Sequence, residues 1–212
     1  MKRLLVFGII MSMFMGAASV PAGAQNKALQ KAMKKEYKLK MKEYASEGWK
    51  VFGTSHTLDV ALLTHYDKLS QDGVTEVMGT AVSSNKNIGK DKMLMSACVT
   101  YAQKVGSSIK GRIIEDMSSI VSTEELAEFE HFYEAYGNNV QAEIKGELRS
   151  SYSVYRPVTI QGKEAFEFQT YYIVDENEAS RARIRAFQNA ARESAVAQKY
   201  ADVVSEFIKE GF

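Results

Sequence analysis

Two runs of alternating apolar and polar residues near the end of the chain constrain its fold most strongly. In Val140 to Val154 and in Phe166 to Val174, most residues at every second position are apolar, which is typical of half-solvated antiparallel strands. Gln161-Gly162 between the runs is suited to a tight turn. Pro157 lies between the first run and this turn, so we expect a bend or an edge position there. The sequence therefore predicts a β-hairpin within an antiparallel sheet.

The rest of the chain alternates between helical apolar spacing and short strand-like runs. The predicted helices cover 26–46, 58–69, a stretch around Cys98, 122–137 and 177–209, and the predicted strands cover 49–54, 74–82, 109–117, 140–154 and 166–174. Runs rich in Pro, Gly or Ser that would mark a linker do not interrupt this order. We therefore predict one α+β domain over residues 25–212, with a mostly antiparallel sheet of about five strands, helices packed on one face, and a long C-terminal helix.

Local signals mark several ends of these segments. Gly48 is placed for a left-handed helix C-cap, and Ser55 or Thr57 can cap the following helix. Ser122 and Glu125 have the spacing of a capping box. Gly79 lies inside a predicted strand, where glycine often marks a bulge or a close helix contact.

The first 24 residues have the pattern of a cleaved secretory leader. Lys2 and Arg3 precede an apolar run of about a dozen residues, shorter than the ~20 that span a bilayer, and Ala22-Gly23-Ala24 suits a signal peptidase. We therefore predict cleavage between Ala24 and Gln25, a periplasmic or secreted location, and no transmembrane span. The position after cleavage lacks the Cys of a lipoprotein.

The sequence does not contain a recognisable catalytic motif. Cys98, the single cysteine, has Ala102 and Val105 at helical spacing and is predicted to be a small buried apolar residue. His65 lies on the apolar stripe of its helix and is predicted to be a hydrogen-bonded packing residue rather than a base. Glu124, Glu128 and His131 have the spacing of metal ligands on one helix face, but a solvated acidic face is the interpretation we prefer. We therefore predict no catalytic residues, cofactor or metal.

Charge is distributed in blocks, although the whole chain has a net charge of only +1. Residues 25–50 contain eight Lys and three Glu, whereas 113–144 contain eight acidic residues and no Lys or Arg. Solvated helix faces are one interpretation; a surface for an anionic partner is the other. The candidate interaction surface consists of basic residues from the first and last predicted helices: Lys27, Lys31, Lys34, Lys35, Lys38, Lys42, Arg181, Arg185 and Arg192. The lysines lack interleaved base-stacking aromatics, so nucleic acid is not the expected partner.

Two stretches resemble a known group of proteins. Glu47 to Tyr66 and the ending Ala197 to Phe212 resemble uncharacterised exported proteins of Gram-negative gut bacteria, and this resemblance spans most of the chain after the leader. Met78 to Arg112 is weakly similar to the small outer-membrane and flagellum-associated lipoprotein family, from which this chain departs by lacking the lipidated Cys and much of the alanine. The resemblances imply a role in the cell envelope and supply no catalytic residues.

Together these features predict an exported cell-envelope protein that acts as a non-catalytic binding or structural module. Its expected partner is an envelope protein or an anionic surface. The alternative is an enzyme, hydrolase-like or metal-dependent, whose site the sequence does not reveal. A pocket holding a histidine or two perturbed carboxylates would favour the enzyme.

Overall fold

The computed structural model describes residues 22–210, with side chains from residue 30 onwards. The predicted leader therefore lies almost wholly outside the described residues. The chain divides into two compact units, Met1–Glu36 and Tyr37–Phe212. The described part of the first unit is helical, and the second contains the sheet. The helices are α1 (Ala22–Glu47), α2 (Leu58–Leu69), α3 (Lys86–Met117), α4 (Thr123–Ile144), α5 (Glu176–Ala191), α6 (Ala195–Lys199) and α7 (Ala201–Glu210), and the strands are β1 (Lys50–Phe52), β2 (Val74–Ser83), β3 (Arg149–Ile160) and β4 (Lys163–Asp175).

The sheet confirms the predicted hairpin and the α+β class. Its strand order is β1-β3-β4-β2, and every neighbouring pair is antiparallel. The turn residues Gln161 and Gly162 both have positive φ, 50° and 76°, as a two-residue type I′ turn requires. Pro157 pairs with Phe166 of β4, whereas β1 pairs only with residues 153–155 of β3. Proline therefore occupies the edge position expected from its missing N–H.

Three predicted helix ends, at Gly48, Thr57 and Ser122, are confirmed, whereas α4 runs past the predicted end at residue 137 to Ile144. Gly48 has a φ of 72°, and the N–H of Trp49 donates to the Tyr44 carbonyl at 3.0 Å, which closes α1 with a Schellman turn. Thr57 caps α2. Ser122 and Glu125 form the reciprocal capping box of α4. Short polar side chains at these positions satisfy backbone N–H groups that the first helical turn leaves without partners.

Three predicted segments are wrong. Residues 109–117 continue α3 rather than forming a strand, and 140–144 continue α4, so four strands replace the expected five. Two of the apolar residues in 109–117, Ile109 and Ile113, are β-branched, which is typical of a strand. The buried residues Ile109, Ile113 and Met117 are also spaced four apart, which equally fits one face of a helix. The long C-terminal helix is instead α5, α6 and α7, because the Ser194 side chain accepts the Ala197 N–H and starts a new helix.

Helices cover both faces of the sheet, which corrects the prediction of one covered face. Tyr172 and Val174 of β4 pack into a large core with residues of α3, α4, α5 and α7. Tyr171 points the opposite way and packs with Tyr44 of α1 and Leu62 of α2. The central strands carry apolar residues on both faces. The alternation of apolar and polar residues in the sequence therefore did not correspond to one buried and one solvated face.

Gly79 of β2 confirms the predicted close helix contact. A Cβ built there would lie 2.0 Å from the backbone oxygen of Met93 and 3.1 Å from the Cβ of Ala97. Glycine therefore lets α3 pack directly on the backbone of β2. Within residues 22–210, the described helices are too short or too polar to cross a membrane.

Candidate functional site

The lysines of α1 share one side of the helix. At about 100° per residue, positions 27, 31, 34, 35, 38 and 42 fall within an arc of roughly 100°. This basic face consists of Lys27, Lys31, Lys34, Lys35, Lys38 and Lys42, and the five from Lys31 onwards are exposed, while the side chain of Lys27 lies outside the described residues. The acidic residues Glu36 and Glu43 lie outside this arc on a helical projection. The basic face is therefore a continuous strip of positive charge.

The other side of α1, from Tyr37 onwards, packs on the protein. Tyr44 is fully buried, and Tyr37 and Met41 pack against the same cluster. The Tyr37 hydroxyl also hydrogen-bonds Asp59 of α2. Packing thus fixes the rotation of this part of the helix, so that Lys38 and Lys42 face solvent. The prediction that the apolar stripe docks on its own domain is confirmed for this half of α1.

Exposed apolar side chains lie beside these lysines and on α2. Leu39 is 59% exposed, Val60 43% and Leu63 52%. On α2, the side that carries Ala61, Leu62 and His65 is buried against the sheet, so Val60 and Leu63 point away from it. The exposed residues of the neighbouring helices α1 and α2 thus include Lys38, Lys42 and Leu39 on α1 and Val60 and Leu63 on α2. Surfaces that bind anionic membranes combine these two kinds of side chain.

The three arginines of the candidate interaction surface lie on α5 or at its C-cap, and one of them is engaged within the chain. Arg181, Arg185 and Arg192 are all exposed. The Arg185 guanidinium donates to Glu143 of α4 at 2.7 Å and to Glu147 at 3.1 Å. Glu143 of the acidic segment 113–144 and Glu147 after it therefore neutralise Arg185 within the chain.

His65 lies at the centre of a buried polar cluster on the other side of α2. Its Nδ1 is 3.1 Å from the Ser151 Oγ, and its Nε2 is 2.8 Å from the Glu76 Oε2. The His65 residue is only 2% exposed, and its ring packs edge-on against Tyr152 and Tyr171, with centroid distances of 4.9 and 5.7 Å. The structure confirms that His65 is buried and hydrogen-bonded, and its two partners define a Ser–His–Glu arrangement.

Each member of this arrangement is held by a different element. His65 belongs to α2 and Glu76 to the edge strand β2. Ser151 belongs to β3, at a register shift: Ser150 pairs with Tyr172, Tyr152 pairs with Tyr171, and Ser151 is left over. Such a β-bulge redirects a side chain out of the normal alternation. Sequence reasoning found His65 by its spacing, but no local signal identifies Ser151 or Glu76, because only the tertiary fold brings them to the ring.

Two tyrosines of this cluster, Tyr152 and Tyr44, share a buried hydrogen bond. Burial raises the pKa of Tyr152 and of Tyr44 well above the usual value, since a charged phenolate loses its hydration. Their hydroxyl oxygens are 3.0 Å apart and form a hydrogen bond, and the Tyr152 and Tyr171 rings stack at a centroid distance of 4.7 Å. Packing against the rings of Tyr152 and Tyr171 thus fixes the orientation of the His65 ring.

The other candidate residues have structural surroundings. Glu124 is exposed in the first turn of α4, and hydrogen bonds from its own N–H and from Ser122 lower its pKa. His131 and Glu128 are exposed on the same helix, and the part of the chain that the structure describes holds no group of three potential metal ligands. Cys98 is fully buried in the main core, as predicted, and burial raises the pKa of its thiol.

One charged residue in the core was not predicted. Arg183 of α5 is 1% exposed, and its guanidinium donates to Glu176 at 2.6 Å, to the Tyr101 hydroxyl at 2.7 Å and to the Ile208 carbonyl at 3.2 Å. A buried guanidinium needs such partners because desolvating it is costly. Arg183 therefore links α3, α5 and α7 from the inside.

Comparison of the chain with protein-family models, curated proteins and solved structures finds no match.

Proposed function

We propose that the protein is exported to the cell envelope and binds an anionic lipid surface through the basic face of α1. The leader pattern of residues 1–24 supports the export. The spacing of the six lysines, which places them on one side of α1, is the observation that carries the binding proposal. From Tyr37 onwards the helix packs on the protein, and there Lys38 and Lys42 face solvent.

The exposed apolar residues favour lipid over a soluble anionic protein. Leu39 follows Lys38 directly on the exposed side of α1, and Val60 and Leu63 lie on the outer side of α2. Lysines attract anionic headgroups, and neighbouring apolar side chains can enter the interfacial region of a bilayer. Each lysine near such a surface contributes about 1 kcal/mol at low salt. Four lysines therefore contribute ~4 kcal/mol, roughly a thousandfold in affinity.

Export is tested on protein purified from the periplasmic fraction of a Gram-negative host. The leader pattern predicts a chain that begins at Gln25, which intact-mass measurement reports directly. A chain that keeps residues 1–24 would contradict the export proposal.

Lipid binding is tested on the same processed protein with vesicles. We expect co-sedimentation with vesicles of equal parts phosphatidylglycerol and phosphatidylcholine, and none with phosphatidylcholine alone. Binding should weaken steeply as salt rises to 0.15 M, where the screening length is about 8 Å. Replacing Lys31, Lys34, Lys35 and Lys38 by Gln should abolish binding, and because these side chains are exposed, the melting temperature should not change.

The matched control removes the same charge elsewhere. The exposed lysines Lys50, Lys90, Lys92 and Lys163 lie outside the basic face, and replacing these four by Gln should leave most of the binding intact. Equal loss in both quadruple variants would show that net charge alone governs binding, and no binding by the parent protein would refute the proposal.

A further inference from the structure

The hydrogen bonds of His65 define which nitrogen carries the proton. A carboxylate only accepts hydrogen bonds, so the contact of 2.8 Å to Glu76 requires an N–H at Nε2. In the neutral ring Nδ1 then has a free lone pair, and the Ser151 hydroxyl donates to it across 3.1 Å. Hydroxyl, imidazole and carboxylate therefore follow one another as in Ser–His–acid hydrolases, with the two ring nitrogens exchanged: here the serine faces Nδ1 and the acid faces Nε2. Such hydrolases are recognised by geometry and roles rather than by chain position.

We propose that Ser151 is a nucleophile towards carboxylic esters, with His65 as its general base and Glu76 as the positioning residue. The β-bulge turns the Ser151 side chain towards His65, and bulges are common next to active sites. Ser151 is only partly buried, whereas His65 is buried and its ring is fixed by Tyr152 and Tyr171. The nucleophile therefore belongs to a partly exposed residue, and the base is shielded from solvent and oriented by its partners.

The reaction balances with water as the only co-reactant. The Ser151 Oγ forms a bond to the ester carbonyl carbon while its proton moves to the Nδ1 of His65. The tetrahedral intermediate then expels the alcohol, which takes the proton from His65, and an acyl-serine remains. Water attacks this ester with His65 again as base, releases the carboxylic acid and restores the serine hydroxyl. Glu76 stabilises the imidazolium that forms in each half of the reaction.

The first test is labelling of the processed protein with a fluorophosphonate, which phosphonylates activated serines with loss of fluoride. Peptide mass spectrometry should find the label on Ser151 and not on its exposed neighbour Ser150. The variant Ser151→Ala should lose the label, and Ser150→Ala should keep it. Labelling of Ser151 no faster than that of Ser150 would overturn the proposal and leave the cluster as a structural hydrogen-bond network.

The second test separates catalysis from folding. His65→Gln should slow labelling of Ser151 by about 10²–10⁴-fold, the usual contribution of a general base. His65 is buried, so the His65→Gln variant can fail to fold, and a second variant, Glu76→Gln, decides the test. The Glu76 side chain is 43% exposed, and glutamine has nearly the same size as glutamate. We expect a stable Glu76→Gln variant with slower labelling and a pH profile moved to lower pH, because the imidazolium loses its counter-charge. An unchanged rate and profile would refute the role of the cluster.

The same serine should turn over an activated ester. Hydrolysis of p-nitrophenyl acetate should show a burst of p-nitrophenol equal to the protein concentration, followed by slower acyl-serine hydrolysis. The quadruple lysine variant described above should keep this activity, so that failure of lipid binding and failure of hydrolysis are distinguishable. A Ser151→Ala variant that hydrolyses the ester as fast as the parent would refute the assignment.

Discussion

Replacing Gly79 by Ala should destabilise the fold because the added methyl group has no space. Its position lies 2.0 Å from the Met93 backbone oxygen and 3.1 Å from the Cβ of Ala97. Close carbon–oxygen contacts in proteins are about 3.3 Å, so α3 must move away from β2 by more than ~1 Å. Met93 and Ala97 are almost fully buried, and the movement therefore loosens the core around them.

The loss of stability expected for Gly79→Ala depends on which atoms the added methyl group meets. Overpacking a core costs about 1–3 kcal/mol, and the cost is lowest when a flexible side chain can rotate aside. Here the obstacle is helix backbone, so we expect about 3 kcal/mol. Gly106→Ala on α3 is the matched control, because nothing lies within 4 Å of the new methyl group. Alanine in a helix interior should stabilise by about 1 kcal/mol.

Urea unfolding measures both variants under the same conditions. The midpoint should fall for Gly79→Ala and rise for Gly106→Ala, with unchanged slopes if only stability differs. For a domain of this size, 1 kcal/mol corresponds to roughly 2–4 °C in melting temperature, so Gly79→Ala should lower it by about 6–12 °C. Equal midpoints for Gly79→Ala and the parent protein would refute the close approach of α3 and β2.

Three further measurements follow from buried and charged groups. Cys98 should react with a thiol reagent only on unfolding, and Cys98→Ser should cost roughly 1–3 kcal/mol by placing a hydroxyl in an apolar site; rapid native labelling would contradict its burial. Arg183→Met should cost about 3 kcal/mol or more in urea unfolding, because it leaves Glu176 without its buried partner; a neutral result would contradict the internal link. Hydrogen bonds from Lys199 and the Ser122 amide lower the pKa of Glu125 below 4.5, so its stabilisation is present above that pH and is lost as the pH falls through the lowered value. Lys199→Gln should make the loss below pH 4.5 smaller, as thermal unfolding at several pH values can check.

The parts of the fold predicted from sequence are those determined by a few neighbouring residues. Gly48, Ser122 and Gln161-Gly162 impose their local conformations through backbone preference or side-chain capping, and all three act as expected. The failures occur where one set of residues fits two periods. Val140 and Ile144 fit an alternating strand and also a helix, and packing against the main core selects the helix.

The two candidate sites also differ in how far they can be predicted from the sequence. The basic face of α1 is visible in the spacing of the lysines, because a helix converts spacing into direction. The Ser–His–Glu arrangement joins three elements, and Ser151 is turned towards His65 by a bulge that depends on how β3 pairs with β4. Register is a property of the assembled sheet, so neither partner of His65 could be identified before the fold was known.

The strand order of the sheet also determines when the parts of the chain can assemble. Lys50 of β1 pairs with Tyr155, and Val74 of β2 pairs with Asp175, so each N-terminal strand pairs with a residue made about 100 residues later. The two central strands, by contrast, are joined by a two-residue turn and can form a hairpin locally within microseconds. Synthesis from the N-terminus thus produces both outer strands well before the pair that they flank. The sheet therefore cannot form strand by strand in chain order, and β1 and β2 remain without their strand partners until β3 and β4, residues 149–175, have been made.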